Sequence, residues 1–418
     1  MKKHKRPITV GLAPNTEADD ADLALKLLRD KKNWLKGDAV LRLEEEFGKY
    51  LQIEHRVAVR SGRFALQAVL HALNLNLGDE VLIQSYTCAA VPNAVTAVGA
   101  KPIYVDINPD TFNMSIKDLV PKATSKSKAI IVQHTFGTPA PMDKIIEAAK
   151  HYGLFVIEDC AHALGAKYSG KHVGTFGDAS IWSFGRDKPI SSVFGGMIAT
   201  KDKALAQTIR KYVGDTNLPS KFWIFQQLLH PILFYKYVLP RYNSKVGKVI
   251  LEAAKNLNLL SKAVYKEERH GYVSKLTLGK MPNALAILAL HQLHKIDKFN
   301  SHRRKLVAIY EKELQGLEQV ELPKTPERSE SIYLRYTIKV PNPWEIIMAG
   351  RKKNIILDNW YNPAISPRGT DYIDLMYNPE TCPNAEIASS KSLNLPTNIT
   401  TTEEDAIKVI NLVKEYVY

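Results

Sequence analysis

Asp159 and Lys188 are the two residues whose types and setting could do chemistry together. An apolar run beginning at Phe155 stops abruptly on Glu158 and Asp159. A second apolar run, Ala179 to Phe184, leads into a short polar loop carrying Lys188, then Gly195-Gly196 and a third apolar run. A strand that ends in a carboxylate inside a βαβ pattern places that carboxylate at the carboxyl edge of a sheet, where ligands of open α/β sheets sit. A lysine in a loop at the same edge reaches the same ligand. An acid and an amine converging on one ligand suggest pyridoxal 5'-phosphate. The acid would keep the pyridine nitrogen protonated, making the ring an electron sink, and the lysine would form the Schiff base.

The elements that must position this pair read plainly. In VAVRSGRFALQAVLHALNL a short strand meets Ser61-Gly62, then a helix with Leu66, Val69, Leu70 and Leu73 on one face. Ser61 is a suitable N-cap. The free N–H groups of the helix start suit a phosphate, and Gly62 lets the backbone come close to it. Arg63 could add a cationic partner. GDEVLIQSYTCAAVPNAVTAVGAKPIYVDI reads as strand, helix, strand, with Asp106 ending the second strand and capping the next turn. His134 stands at another strand edge. His162 follows Asp159 by three positions in a loop of the kind that carries polar ligand contacts.

EDCAHALGA, GTFGD, SFGRDK and GGMIAT, in that order, resemble the DegT/DnrJ/StrS family of sugar aminotransferases. The resemblance covers most of the chain and implies fold type I: an α/β domain with a mostly parallel sheet flanked by helices, plus a smaller C-terminal α+β domain. It places Lys188 on the Schiff-base lysine, Asp159 on the pyridine partner and Ser183 on a phosphate-binding serine. Ser61 and Gly62 match the family's SGTxAL, with Arg63 replacing threonine. Cys88 stands where relatives carry an aromatic that stacks on the cofactor ring, and Tyr86 is the substitute the sequence offers. Val193-Phe194 replaces the Gly-Glu of the family's GEGG. Leu278 replaces an asparagine that reaches the neighbouring subunit's phosphate, and Lys280 replaces an arginine. WYNPAI resembles a substrate loop, HYxP, with tryptophan in place of histidine, and puts Trp360 and Tyr361 beside the substrate; His134, at its strand edge near the expected pocket, and Lys280 are the further substrate candidates. The activity implied is transamination of a keto-sugar, nucleotide-linked, with glutamate as amino donor, by a homodimer. A sugar dehydratase of the same fold carries histidine in place of Lys188. A non-catalytic regulator or scaffold would not need to keep both Asp159 and Lys188.

The resemblance fails from about 215 to 272. The divisions expected are an arm and helix over 1–35, a cofactor-binding domain over 36–214, a helical insertion over 215–272, a connecting helix over 273–312 and a small domain over 313–418. The insertion is rich in lysine and aromatic residues, and Val246, Val249, Ile250, Ala253, Leu257, Leu260 and Val264 form a helical stripe. Basic, aromatic and apolar together are the composition of a helix lying in a membrane interface, so peripheral contact through 221–269, or with a lipid-linked substrate, is expected. Apolar stripes also pack on protein cores. The formal net charge of +14 suits an anionic substrate, and no nucleic-acid motif accompanies it. Cys88, Cys160 and Cys382 lack metal spacing, which argues against a metal site and fits a reducing compartment. MKKHKR has no apolar region after it to make a signal peptide, so the expected location is the cytoplasm, with contact at the inner membrane face.

Overall fold

A computed structural model describes residues 6–417; the basic stretch from Met1 to Lys5 lies outside the described residues. The centre is a sheet of seven strands: β1 (His55–Val59), β2 (Glu80–Gln84), β3 (Lys101–Val105), β4 (Ser127–Gln133), β5 (Phe155–Asp159), β6 (Ala179–Ser183) and β7 (Gly196–Thr200). Their spatial order is β1-β7-β6-β5-β4-β2-β3. Only β7 runs against its neighbours. The carboxyl ends of the other six strands therefore share one edge with the start of β7.

Val, Ile and Leu dominate these strands because both faces are covered. Leu82, Ile130, Val132, Val156, Trp182 and Met197 pack on one side. Val81, Ile83, Ile131, Ile157, Ile181 and Ile198 pack on the other. A separate core, built on Leu306, Tyr310, Tyr336, Ile338, Leu393 and Val409, belongs to the C-terminal region. There Tyr336–Lys339 pairs antiparallel with Ser392–Leu395, and the chain start, Ile8–Thr9, adds parallel to Ile355–Ile356. Asp106 reaches across to this region and accepts from the N–H groups of Asn384 and Ala385 at the start of helix Pro383–Lys391. The helix expected over 273–312 is two helices, Asn283–Leu293 and Ile296–Leu314. Lys295 stands at the break, its ammonium paired with Asp19 at 2.7 Å and Asp20 at 3.1 Å.

The insertion folds as helices Lys221–Ile232 and Val246–Asn256 joined by π and 3-10 turns. Phe234, Val238, Leu239, Leu251, Ala254 and Leu260 pack with Ala13 into a small core of their own. The stripe expected from the sequence is split: Ile250 and Leu260 face this core and Val264 the cavity, because the helix ends at Asn256 and does not carry the pattern through. Gly247, Leu251 and Ala254 point inward, whereas Val246, Val249 and Leu257 are exposed. Gly247 sits at the closest approach of this helix to its neighbour: a Cβ there would lie 2.1 Å from the Val238 carbonyl oxygen.

Candidate active site

Asp159 ends β5 at the shared edge and is 7% exposed. Its one donor among the described residues is the Ala161 N–H, 3.0 Å from Oδ1. Burial raises its pKa above the ordinary aspartate value, and the Ala161 N–H and the charge on Lys188 pull back against that rise. Lys188 lies in the loop after β6, and its Nζ donates to His162 Nε2 at 2.9 Å. Burial, then Lys188 and Arg335, push the His162 pKa well below the ordinary histidine value. The ring is therefore neutral and can accept. With Nε2 accepting, Nδ1 carries the proton, and this buried atom has no partner among the described residues. The lysine backbone is held from below. Asn15 Nδ2 donates to the Lys188 and Pro189 carbonyls, and the buried Arg303 donates to Asn15 Oδ1 at 3.0 Å and to Pro189 O at 2.9 Å.

Ser61, Gly62 and Ser183 form a cradle. Ser61 Oγ caps the helix Gly62–Ala72 by accepting from the Phe64 N–H at 3.1 Å, and donates to Thr277 O at 2.7 Å. A Cβ on Gly62 would lie 2.8 Å from the Ser183 Cβ, so only glycine fits against β6 there. Asp159, Lys188, His162, Ser61, Gly62, Arg63, Ser183, Cys88, Trp360 and Tyr361 all line one cavity of about 440 Å³. Arg63 is there with its charge already engaged: Nε pairs with Glu268 at 2.9 Å and Nη2 donates to Ala263 O at 2.6 Å. Burial raises the Cys88 thiol pKa, with Arg63 acting against it.

Three expected residues are not in this cavity. His134 is fully buried: its Nδ1 accepts from Ala140 N–H at 3.0 Å, which leaves Nε2 to donate to Glu158 at 3.1 Å. Tyr86 has a positive φ of 63° that turns its ring into the core, against Phe112, Phe136 and Tyr361, with its hydroxyl on Ser392. It cannot replace an aromatic at position 88. Lys280 forms a backbone bridge with Val59 outside the cavity wall.

Sequence patterns did not single out Asp187 and Arg335. Arg335, 5% exposed, pairs with Asp187 Oδ2 at 2.5 Å and lies 4.7 Å from the Trp360 ring centroid. An arginine inside the apolar run YLRYTIKV was the available signal, since a buried arginine needs a partner. Burial alone would raise the Asp187 pKa; Lys188 and Arg335 outweigh it and hold the carboxyl below the ordinary value. The insertion and the chain start also reach the cavity, with Leu12, Ala13, His230, Phe234, Leu251, Leu260, Ser261 and Val264.

A sequence profile of the DegT/DnrJ/EryC1/StrS aminotransferase family matches residues 15–414. The chain is 34% identical to a GDP-perosamine synthase of Escherichia coli O157:H7, over 68% of this chain and 65% of that one, so it spans just under two thirds of that relative. It is 28% identical to a GDP-perosamine synthase of Caulobacter vibrioides over 95% of each. The fold superposes on S. venezuelae DesV, solved in complex with a ketimine intermediate, with a TM-score of 0.75 and 25% identity, covering 97% of this chain and 99% of that one.

Removing the Arg335 charge tests the electrostatics of this wall. Arg335→Met is expected to cost about 2 kcal/mol in urea denaturation at pH 7, because it leaves Asp187, and Asp358 at 3.6 Å, without that guanidinium. A carboxyl with a depressed folded pKa contributes stability above its unfolded pKa and loses it as pH falls through the folded value. The gap between wild type and variant is therefore expected to narrow below about pH 4; a gap that is constant with pH would show that neither Asp187 nor Asp358 is what Arg335 stabilises.

Proposed function

The chain belongs to the DegT/DnrJ/EryC1/StrS aminotransferase family, and from that premise we propose that it transfers an amino group from glutamate to a keto-sugar linked to a nucleotide, in the synthesis of polysaccharide precursors. The observation that carries this reading is the single cavity holding Asp159, Lys188, His162 and the Ser61-Gly62-Ser183 cradle. These residues fit pyridoxal 5'-phosphate. Asp159 is a buried carboxylate with one backbone donor and no cation within ion-pair distance among the described residues, which suits a protonated pyridine. The cradle offers helix N–H groups and a serine hydroxyl to a phosphate.

Bound there, the cofactor supplies a ring that withdraws electrons from the carbon that gains or loses the amine. Lys188 would hold the cofactor and, with its amine free, would carry the proton between carbons. His162 fixes that amine through the 2.9 Å hydrogen bond. Arg335, on Asp187, keeps Trp360 in the substrate wall. The protein is expected to absorb in the visible as purified, to carry a pyridoxyl group on Lys188 after borohydride treatment, and to aminate a keto-sugar nucleotide by mass spectrometry. Lys188→Ala should lose all three. A variant that keeps a reducible chromophore, or a wild type that aminates none of a panel of GDP-, UDP- and TDP-linked keto-sugars, would overturn the reading.

The finer parts of the proposal concern assembly and place. A homodimer in the cytoplasm is expected, supported by the resemblance and by the exposed Tyr272 and Leu276 beside the stretch that closes on Ser61. Sedimentation should give twice the chain mass; a fully active monomer would rule it out. The outer face of the insertion is proposed to touch an anionic membrane surface. No helix of the described residues is long and apolar enough to cross a membrane. Val249 and Leu257 are, however, 68% and 69% exposed, with Lys245, Lys248 and Lys262 around them. Each lysine near an anionic leaflet adds about 1 kcal/mol. The protein should float with anionic liposomes at low salt and be released at high salt. Recovery in the soluble fraction at both would exclude this contact.

A further inference from the structure

The cavity has two unlike walls. One is the strand edge with Asp159, Ser61 and Ser183; the other is the insertion, with Phe234, Leu251, Leu260 and Val264. Arg186 joins them. It sits in the loop between Ser183 and Lys188, lines the cavity, and reaches the insertion, where Nη2 donates to the carbonyl of Ser261 and, at 2.7 Å, to its Oγ. Ser261 Oγ in turn donates to Gln227 Oε1 at 2.8 Å. These partners are all neutral. Arg186 Nε is buried and has none.

Arg63, the other arginine lining the cavity, is neutralised by Glu268, and Arg335 behind the wall by Asp187; Arg303, beneath the Lys188 loop, is held on amide and carbonyl oxygens and does not line the cavity. Arg186 has no carboxylate within ion-pair distance among the described residues. Burial lowers its pKa to about 10, with the Asp187 carboxylate acting against that fall and Arg63 adding to it. The side chain is charged at neutral pH. Beside it His230 lines the same wall, stacked 4.4 Å from the Phe234 ring. Burial and Arg186 push the His230 pKa well down, so it adds no second charge. The guanidinium is half-buried, with Nε shut away from water, and is held on neutral partners at a cavity wall, where it is free to meet an anion. Its planar fork matches phosphate oxygens two at a time.

We propose that Arg186, oriented by Ser261 and Gln227, is a receptor for a phosphate group, and that the 221–264 segment is thereby a specificity element of the cavity in its own chain. The proposal rests on the functional reading above only for the source of the phosphate, which is either the diphosphate of a sugar nucleotide or the phosphate of the cofactor.

The test compares wild type with Arg186→Met, Arg186→Lys and Ser261→Ala. One arm titrates UDP and GDP into the holoenzyme by calorimetry. The other follows release of pyridoxal phosphate from the holoenzyme on dilution. A charged hydrogen bond of this kind sets the expected loss at about ten-fold or more for Arg186→Met, with partial recovery in Arg186→Lys. Ser261→Ala, which keeps the charge but frees its tip, should lose less and reports on the receptor should the methionine variant fold poorly. Loss in the first arm assigns the substrate diphosphate; loss in the second assigns the cofactor phosphate. Unchanged binding in both arms, in a folded Arg186→Met protein, overturns the receptor even if the glutamate requirement changes. The two readings fail separately. Arg186-dependent nucleotide binding without amination of any keto-sugar would sink the function and leave the receptor. Amination by a variant that binds as wild type does would do the reverse.

Discussion

Two neighbouring carboxylates at the end of β5 have opposite fates, and the site depends on the difference. Successive side chains of a strand point to opposite faces. Glu158 turns to the side where the loop before β6 returns, and its two oxygens accept from the N–H groups of Gly174, Phe176 and Gly177 at 2.7 Å each and from His134 at 3.1 Å. With this many donors a fully buried carboxylate is well satisfied. It ties the loop over residues 174–177 to the strand end, which sets where β6 starts and so where Ser183 and Lys188 fall. Asp159, one residue on, receives a single backbone donor. Its desolvation outweighs the opposing pull of the Ala161 N–H and of the Lys188 charge, and the carboxyl remains available to a ligand.

Much of this was legible in the sequence because it is written locally. A strand stopping on an acid, a serine-glycine cap before an amphipathic helix, and a lysine in the loop after the next strand need only short-range patterns. His134 shows the limit. It stands at a strand edge as Asp159 does, yet its ring is consumed by Glu158 and Ala140, a matter of which way the last residue faces. Tyr86 fails similarly, because its positive φ reverses the side-chain direction that strand alternation would give. Arg335 depends on Asp187, which lies far away in sequence. Periodicity carries no record of such a pair.

The insertion was legible as helices and not as an orientation. Seven apolar positions at near-helical spacing suggest one face, but the helix ends at Asn256, so Leu260 and Val264 reach the core and cavity from the chain beyond it. On the helix itself Gly247 sits at the close approach to Val238, while Val246 and Val249 are exposed. Close packing at glycine gains many small dispersion contacts at once. The same turn brings Leu251 to the cavity, so one helix shapes the site with one side and exposes an apolar surface with the other.

The charges this segment brings explain how the cavity tolerates its arginines. Arg63 is close enough to disfavour the charge on Arg186. Like charges brought together at low dielectric repel by several kcal/mol. The insertion cancels one of them, through Glu268 on Arg63, and gives the other only the neutral Ser261. Had Glu268 met both, the wall would be electrically complete and closed to anions. Had it met neither, the pair would repel without compensation. At Leu278, where the resemblance places an asparagine reaching a neighbouring subunit's phosphate, this chain has an apolar side chain packed against the sheet core and able to donate nothing. A phosphate that finds no side-chain donor at Leu278 has an uncancelled cation at Arg186, and it is the insertion that determines which arginine keeps its charge.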